Sequence, residues 1–288
     1  MNNISYDEIL INMHLSKLIY YYKIFNIEPY KTIKYYYENT NITSDFDGFK
    51  DSLEFLYNNY PNIRLYQFIS NLDTDTQVGI FLDDSTNNIY ITFRGTESII
   101  DICNDINIKQ ICIDDNNSVF VHEGFYKSFI SVYPEILDTI ILLSKVKDLN
   151  FFATGHSLGS VQTTLFSYLI SDNKIINNKI IKLVTFGSPR LGNLTFKNTF
   201  EQKSNIIYYR IINHKDIVTS IPYINYYHVG KQYQLIDNDI IFVDDNDCTN
   251  FYFGSCCYSN SVDDHSIQNY INNFNGKQDI WESILKND

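Results

Sequence analysis

Asn150-Phe151-Phe152-Ala153-Thr154-Gly155-His156-Ser157-Leu158-Gly159 runs from an apolar segment, through a serine flanked by glycines, into a helix-forming stretch that reaches Ile170. The order strand, G-x-S-x-G, helix is that of a nucleophile elbow, a sharp turn that holds a serine in a strained backbone conformation with its hydroxyl free to react. Glycines flank the turn because a Cβ there would collide with the chain folding back on itself. The helix that follows points its first N–H groups at the reacting centre.

Outward from this passage, strand and helix alternate. A helix is expected from about Gly124 to Lys145, then the strand Asn150 to Thr154, the helix Leu158 to Ile170 and the strand Ile181 to Phe186. A short helix near Asn193 to Phe200 leads to the strand Ile206 to Ile212. Such a string of βα units predicts an α/β fold with a central, mostly parallel sheet and helices on both faces. Upstream, Arg64 to Ile69, Gln77 to Leu82 and Ile89 to Phe93 form a meander feeding that sheet, preceded by flanking helices at Tyr6 to Phe25 and Phe49 to Tyr57. Downstream, strand-like Tyr226 to Leu235 and Ile240 to Val243 precede an acidic, cysteine-containing loop and helices near Ser266 to Phe274 and Asp279 to Leu285. With no repeat or linker, the expectation is a single domain over 1–288, with N-terminal helices in 1–60 and a catalytic core over 63–288.

Composition narrows the function. The 288 residues include 24 Tyr and 20 Phe, are 44% hydrophobic and 19% charged, and carry a net charge of −12. A packed globular core is therefore expected, and nucleic acid or an anionic membrane surface is disfavoured as a main partner. The abundance of Ile, Asn and Tyr, with Ala153 as the lone alanine, points to AT-rich coding, so Asn-x-Ser/Thr sequons and tyrosine runs carry no functional weight. Asp7, Glu8, His14, Lys17 and Lys23 interrupt the first 25 residues, so no signal peptide is visible. The expected location is cytoplasmic or otherwise soluble, with export by another route left open. The least charged stretch, 149–171, is too rich in Ser, Thr, Gly and Gln for a membrane span. Five cysteines are read as free thiols. The Asp and Cys residues of 244–264 fit neither a calcium loop nor a zinc site, so no metal and no cofactor are expected.

Four signatures in order, Thr92-Phe93-Arg94-Gly95-Thr96, Val121-His122-Glu123-Gly124-Phe125, Gly155 to Gly159, and Phe186-Gly187-Ser188-Pro189-Arg190-Leu191-Gly192-Asn193, resemble those of class 3 lipases of the fungal triacylglycerol lipase type. The resemblance runs from about residue 65 to 270 and implies an α/β-hydrolase fold. On the elbow alone, Ser157 is the nucleophile and the N–H of Leu158 one oxyanion donor. The resemblance implies that Thr96 gives the second, through its N–H with its hydroxyl in support, and that 97–106 is a lid. Ile99, Ile100, Ile102 and Cys103 would form the apolar side of this amphipathic segment.

Six histidines compete for the general base. His14 lies in an N-terminal helix, His156 adjoins the serine and should point away from it, and His122 precedes the serine. In an α/β-hydrolase the order is Ser, acid, His, which leaves His214, His228 and His265. Asp216 follows the last clear parallel strand, where catalytic loops gather, and the resemblance assigns it as the acid. His214 is too near Asp216 in sequence to pair with it. The resemblance matches His228 to a structural histidine and His265 to the catalytic one. Two departures stand out: Ser160 replaces a glycine after the elbow, and Gln268 replaces an aromatic three residues after the histidine, with Tyr270 two further on.

The expected function is a serine hydrolase of lipid carboxylic esters, foremost a triacylglycerol lipase acting on neutral acylglycerols at a lipid–water interface. Phospholipase A1 or short-chain carboxylesterase activity could use the same triad. A catalytically silent binding module is the alternative from another class.

Overall fold

In the computed structural model, residues 3–27, 30–39, 47–96, 109–176, 179–243 and 260–287 are described. The strands are β1 (Ile63–Asn71), β2 (Thr76–Asp83), β3 (Asn88–Phe93), β4 (Gln110–Cys112), β5 (Phe120–His122), β6 (Asn150–His156), β7 (Ile181–Phe186), β8 (Ile206–Asn213), β9 (Lys231–Ile236) and β10 (Asp239–Val243). The helices are α1 (Tyr6–Leu18), α2 (Tyr22–Ile27), α3 (Ile33–Asn39), α4 (Asp47–Asn59), α5 (Glu123–Ile130), α6 (Tyr133–Ser144), α7 (Leu158–Ile170), α8 (Leu194–Glu201), α9 (Asn260–Asp263), α10 (Ile267–Phe274) and α11 (Gln278–Asn287).

Eight strands form one sheet in the order β1-β2-β3-β6-β7-β8-β9-β10. β3, β6, β7, β8 and β9 run parallel to one another, while β1, β2 and β10 add antiparallel edges. The sheet is mostly parallel, as the alternation of strands and helices predicts. β4 and β5 pair separately as a small hairpin that the sequence pattern did not announce.

Side chains alternate across the central strands, as the pleat requires. Ile89, Ile91 and Phe93 of β3, with Phe151 and Ala153 of β6, meet Phe129, Ile136, Val161 and Leu165 of α5 to α7 on one face. Tyr90 and Phe152 point the other way, into a core built with α1, α3 and α4. Val184, Phe186, Tyr209 and Tyr233 meet Tyr270, Phe274 and Trp281 of α10 and α11 on that same side.

Four expectations change, the first being that the helix foreseen over Tyr6 to Phe25 is interrupted by a 3-10 turn at Ile19–Tyr21, which separates α1 from α2. The helix foreseen over 124–145 breaks at Ser131-Val132 into α5 and α6, with Pro134 in the first turn of α6, where its missing N–H costs nothing. Residues 226–230 lie outside β9, so His228 sits in a loop. α1 is more than a flank: it is buried nearly all round, including Asn12, His14, Ser16 and Lys17. A helix buried on every side belongs to a core, and its polar positions then need partners. Ser16 shares a hydrogen bond of 3.0 Å with Thr154 of β6, and Lys17 donates to Gln268 of α10.

Candidate active site

β6 ends at His156 and α7 begins at Leu158, so Ser157 occupies the turn alone. Its φ of 57° and ψ of −128° lie in a region normally reserved for glycine. The strain is held by its surroundings: Ser157 N–H donates to Phe186 C=O at 2.9 Å. A Cβ on Gly155 would fall 2.4 Å from Gly159 backbone atoms, and one on Gly159 would fall 2.3 Å from the Phe93 carbonyl oxygen. Glycines at both positions let α7 pack directly against β6 and the end of β3. Ser160, where the resembled family has glycine, tightens this packing. Its buried hydroxyl lies 2.8 Å from Gly155 C=O and 3.0 Å from Phe186 C=O.

Leu158 opens α7, and its N–H belongs to the first turn, where no intrahelical acceptor exists. Thr96 follows Gly95, and a Cβ on Gly95 would lie 3.1 Å from Ser157 Cβ, so this loop abuts the elbow. Arg94 anchors the loop from behind. Its guanidinium donates to Gln77 and to Asp75, the latter at 2.6 Å, and stacks 4.9 Å from the Tyr22 ring.

Asp216 stands beyond the end of β8 and is 2% exposed. One carboxylate oxygen accepts from Val218 N–H at 2.9 Å. His265 Nδ1 lies 2.9 and 2.7 Å from the two oxygens, and Tyr270 O–H donates to the second at 2.6 Å. Acceptors alone face Nδ1, so Nδ1 carries a proton, and in the neutral ring Nε2 then presents a lone pair. The loop bearing His265 is tied to β8 by Asn213 Nδ2–H donating to Asp264 C=O at 2.9 Å. Gly187, at φ +61°, leaves room for the pair: its Cβ would fall 2.7 Å from Asp216 Oδ2 and 2.9 Å from His265 Nδ1. Burial, then the Asp216 charge, push the Tyr270 hydroxyl well above its ordinary pKa, so it stays a donor.

Ser157 Oγ and His265 Nε2 are both buried and have no hydrogen-bond partner among the described residues. Such groups are costly unless they serve a reaction. A hydroxyl without an acceptor and an imidazole lone pair without a donor are the two components of an activated nucleophile.

Of the other histidines, His228 is engaged with Thr219 C=O at 2.7 Å, and His14 with the Ser52 hydroxyl at 3.1 Å. His122 caps α5 by accepting from Phe125 N–H. His156 turns behind the elbow, with its ring 4.5 Å from that of His265. The expected lid residues Ile99, Ile100, Ile102 and Cys103 lie outside the described residues. Sequence reasoning passed over Tyr270 as a partner of Asp216; its signal was the displaced aromatic, two residues later than the family pattern. It also passed over Tyr20, whose only signal was its place in the N-terminal apolar pattern.

Residues 90–226 match the family described as lipase (class 3). A lipase of Rhizomucor miehei is 28% identical over 217 residues, 74% of this chain and 59% of that protein, so the match covers less than two thirds of the relative's length. Among solved structures, the Rhizomucor miehei triacylglyceride lipase aligns with a TM-score of 0.72 at 24% identity, covering 90% of this chain and 92% of the other. Lipase II of Rhizopus niveus aligns at 0.71 and 20% identity with the same coverage. Among the described residues, no helix is long and apolar enough to cross a membrane.

Proposed function

We propose, from the match of residues 90–226 to the class 3 lipase family and from a fold shared with the Rhizomucor miehei triacylglyceride lipase, that this protein is a serine hydrolase cleaving carboxylic esters of lipids. The observation that carries the reading is the Asp216–His265 pair, with an unengaged Nε2, in the same buried site as a strained serine whose hydroxyl has no partner among the described residues. Neutral acylglycerols are the favoured substrates, in keeping with the lipase resemblance and with the net charge of −12, which opposes anionic surfaces.

In this mechanism His265 Nε2 takes the Ser157 proton as Oγ attacks the ester carbonyl carbon. Asp216 keeps the imidazole oriented and stabilises its cation. The N–H groups of Leu158 and Thr96, with the Thr96 hydroxyl, receive the developing oxyanion. Collapse of the tetrahedral intermediate breaks the ester C–O bond, and His265 protonates the departing alcohol oxygen. Water, deprotonated by His265, then attacks the acyl-enzyme, and protonation of Oγ releases the fatty acid. Residues 1–288 act as one catalytic unit in this reading. Contact between the two ends of the chain supports that, with Trp281 Nε1–H donating to Ile4 C=O at 3.0 Å.

The test is hydrolysis of emulsified long-chain triacylglycerol, of a soluble short-chain ester and of phosphatidylcholine, by wild type and Ser157→Ala. Triacylglycerol turnover that falls on the order of a million-fold in Ser157→Ala is the expected result. Serine-dependent activity restricted to the soluble ester or to phosphatidylcholine would reassign the substrate. None on any of the three would overturn the hydrolase and favour a silent binding module.

A further inference from the structure

His156 is buried, lies next to the nucleophile and plays no part in the mechanism above, yet both of its ring nitrogens are engaged. Nε2 lies 2.7 Å from the main-chain carbonyl oxygen of His265, and Nδ1 lies 2.7 Å from the Tyr20 hydroxyl. A carbonyl can only accept, so Nε2 must carry a proton. Burial, reinforced by the neighbouring His265, pushes the His156 pKa well below its ordinary value and keeps the ring neutral. A neutral imidazole has one N–H, so Nδ1 is the acceptor and Tyr20 is the donor. The proton order is thereby fixed: Tyr20 O–H to His156 Nδ1, and His156 Nε2–H to His265 C=O.

The two ends of this chain of bonds matter. Tyr20 belongs to the turn after α1, outside the residues that match the family, and a Cβ on Gly95 would lie 2.1 Å from its hydroxyl oxygen. It therefore sits where the oxyanion loop, the elbow and the N-terminal segment meet. His265 is held at its ring by Asp216, which fixes rotation, but ring contacts alone do not fix where its main chain sits. Asn213 ties the neighbouring Asp264 carbonyl to β8, and the bond from His156 holds the His265 carbonyl itself, from the residue adjoining Ser157 in the chain.

We infer that His156, oriented by Tyr20, is a positioning residue that tethers the main chain of the catalytic base to the nucleophile's own strand, and so sets the reach between His265 Nε2 and Ser157 Oγ. The inference rests on the serine-hydrolase reading. It predicts a defect in chemistry rather than in substrate binding, because a displacement of about 1 Å in a reacting pair costs on the order of a hundredfold.

The experiment compares wild type, Tyr20→Phe, His156→Gln and His156→Leu in kcat and KM on a soluble p-nitrophenyl ester. It also measures the rate at which a p-nitrophenyl phosphonate labels Ser157, with thermal unfolding as the check on folding. His156→Leu should lose roughly a hundredfold in kcat and in labelling rate at unchanged KM. His156→Gln, whose amide N–H can donate to the same carbonyl, should recover most of the loss, and Tyr20→Phe should fall between. If all variants keep wild-type kcat and labelling rate and lose only thermal stability, or if the loss lies in KM alone, the inference is overturned. Wild type unreactive toward the phosphonate would instead overturn the hydrolase reading and the positioning role with it. Nitrogen-15 histidine spectra test the tether independently of activity: an Nε2–H tautomer at His156 that mixes with Nδ1–H in Tyr20→Phe supports it, and an Nδ1–H tautomer in wild type overturns it.

Discussion

Tyr270 shows how one displaced residue keeps its role. Positions 268 and 270 on α10 are about 200° apart around the helix, so they cannot serve the same face. In this chain the face at 268 receives the Lys17 ammonium, while Tyr270 turns inward and gives its hydroxyl to Asp216. Tyr270→Phe keeps the ring, which is fully buried, and removes one donor from a buried carboxylate. A hydrogen bond to a charged group contributes about 1.5–3 kcal/mol, so kcat should fall roughly ten- to a hundredfold with KM unchanged. Steady-state kinetics on a soluble ester would check this, and an unchanged kcat would reduce Tyr270 to packing. Ser160 is the opposite case, a departure that adds contacts: its hydroxyl reaches two carbonyls of the strands flanking the elbow. Neither outcome was visible in sequence, because a departure from a pattern does not say which atoms lie opposite the new side chain.

Among elements, those read correctly were the ones whose identity is local. α7 spans Leu158–Ile170 and β7 spans Ile181–Phe186, as periodicity and flanking residues indicated. α3 and the β4–β5 hairpin were missed, being short and weakly patterned, and α1, read as a flanking helix, proved to be buried nearly all round. The last helix shows how packing at a distance stabilises the fold. Trp281 of α11 is fully buried against Tyr209, Tyr233 and Phe274, and its indole N–H reaches Ile4. Trp281→Ala should cost about 3–5 kcal/mol by emptying this site. Urea unfolding should show a lower midpoint with an unchanged slope; an unaltered midpoint would mean that α11 contributes little to global stability.

Across the whole molecule, buried histidines set the acid limit. Burial, aided by Lys17, pushes His14 down to about 3, and burial pushes His156 and His228 well below the ordinary value. These groups are neutral in the folded protein, while in the unfolded chain they take up protons below about pH 6.5. Their stabilising effect is therefore complete above that pH and is lost as pH falls, by up to about 1.4 kcal/mol per pH unit for each histidine. Urea midpoints should be nearly flat from pH 7.5 to about 6.5 and then fall increasingly toward pH 4.5. His14→Phe, which retains a ring to stack on Phe55, should flatten the slope by about one proton. A pH-independent midpoint in wild type would contradict this account.

By itself, the sequence determined the alternation of strands and helices, the parallel sheet it implies and the elbow around Ser157. Each of these is encoded within a short window, by side-chain period or by glycines that permit a turn no other residue tolerates. It also narrowed the acid and the base to loops at one edge of that sheet. The resemblance already pointed to His265 as the partner of Asp216; the hydrogen bonds between the two, which tyrosine joins them, and that an N-terminal tyrosine braces His156 were decided only by the tertiary structure. Residues 20, 156, 216, 265 and 270 share no local window. Their contacts exist because α1, β6, β8 and α10 converge on one end of the sheet, and hydrogen-bond geometry at that convergence depends on packing from both faces.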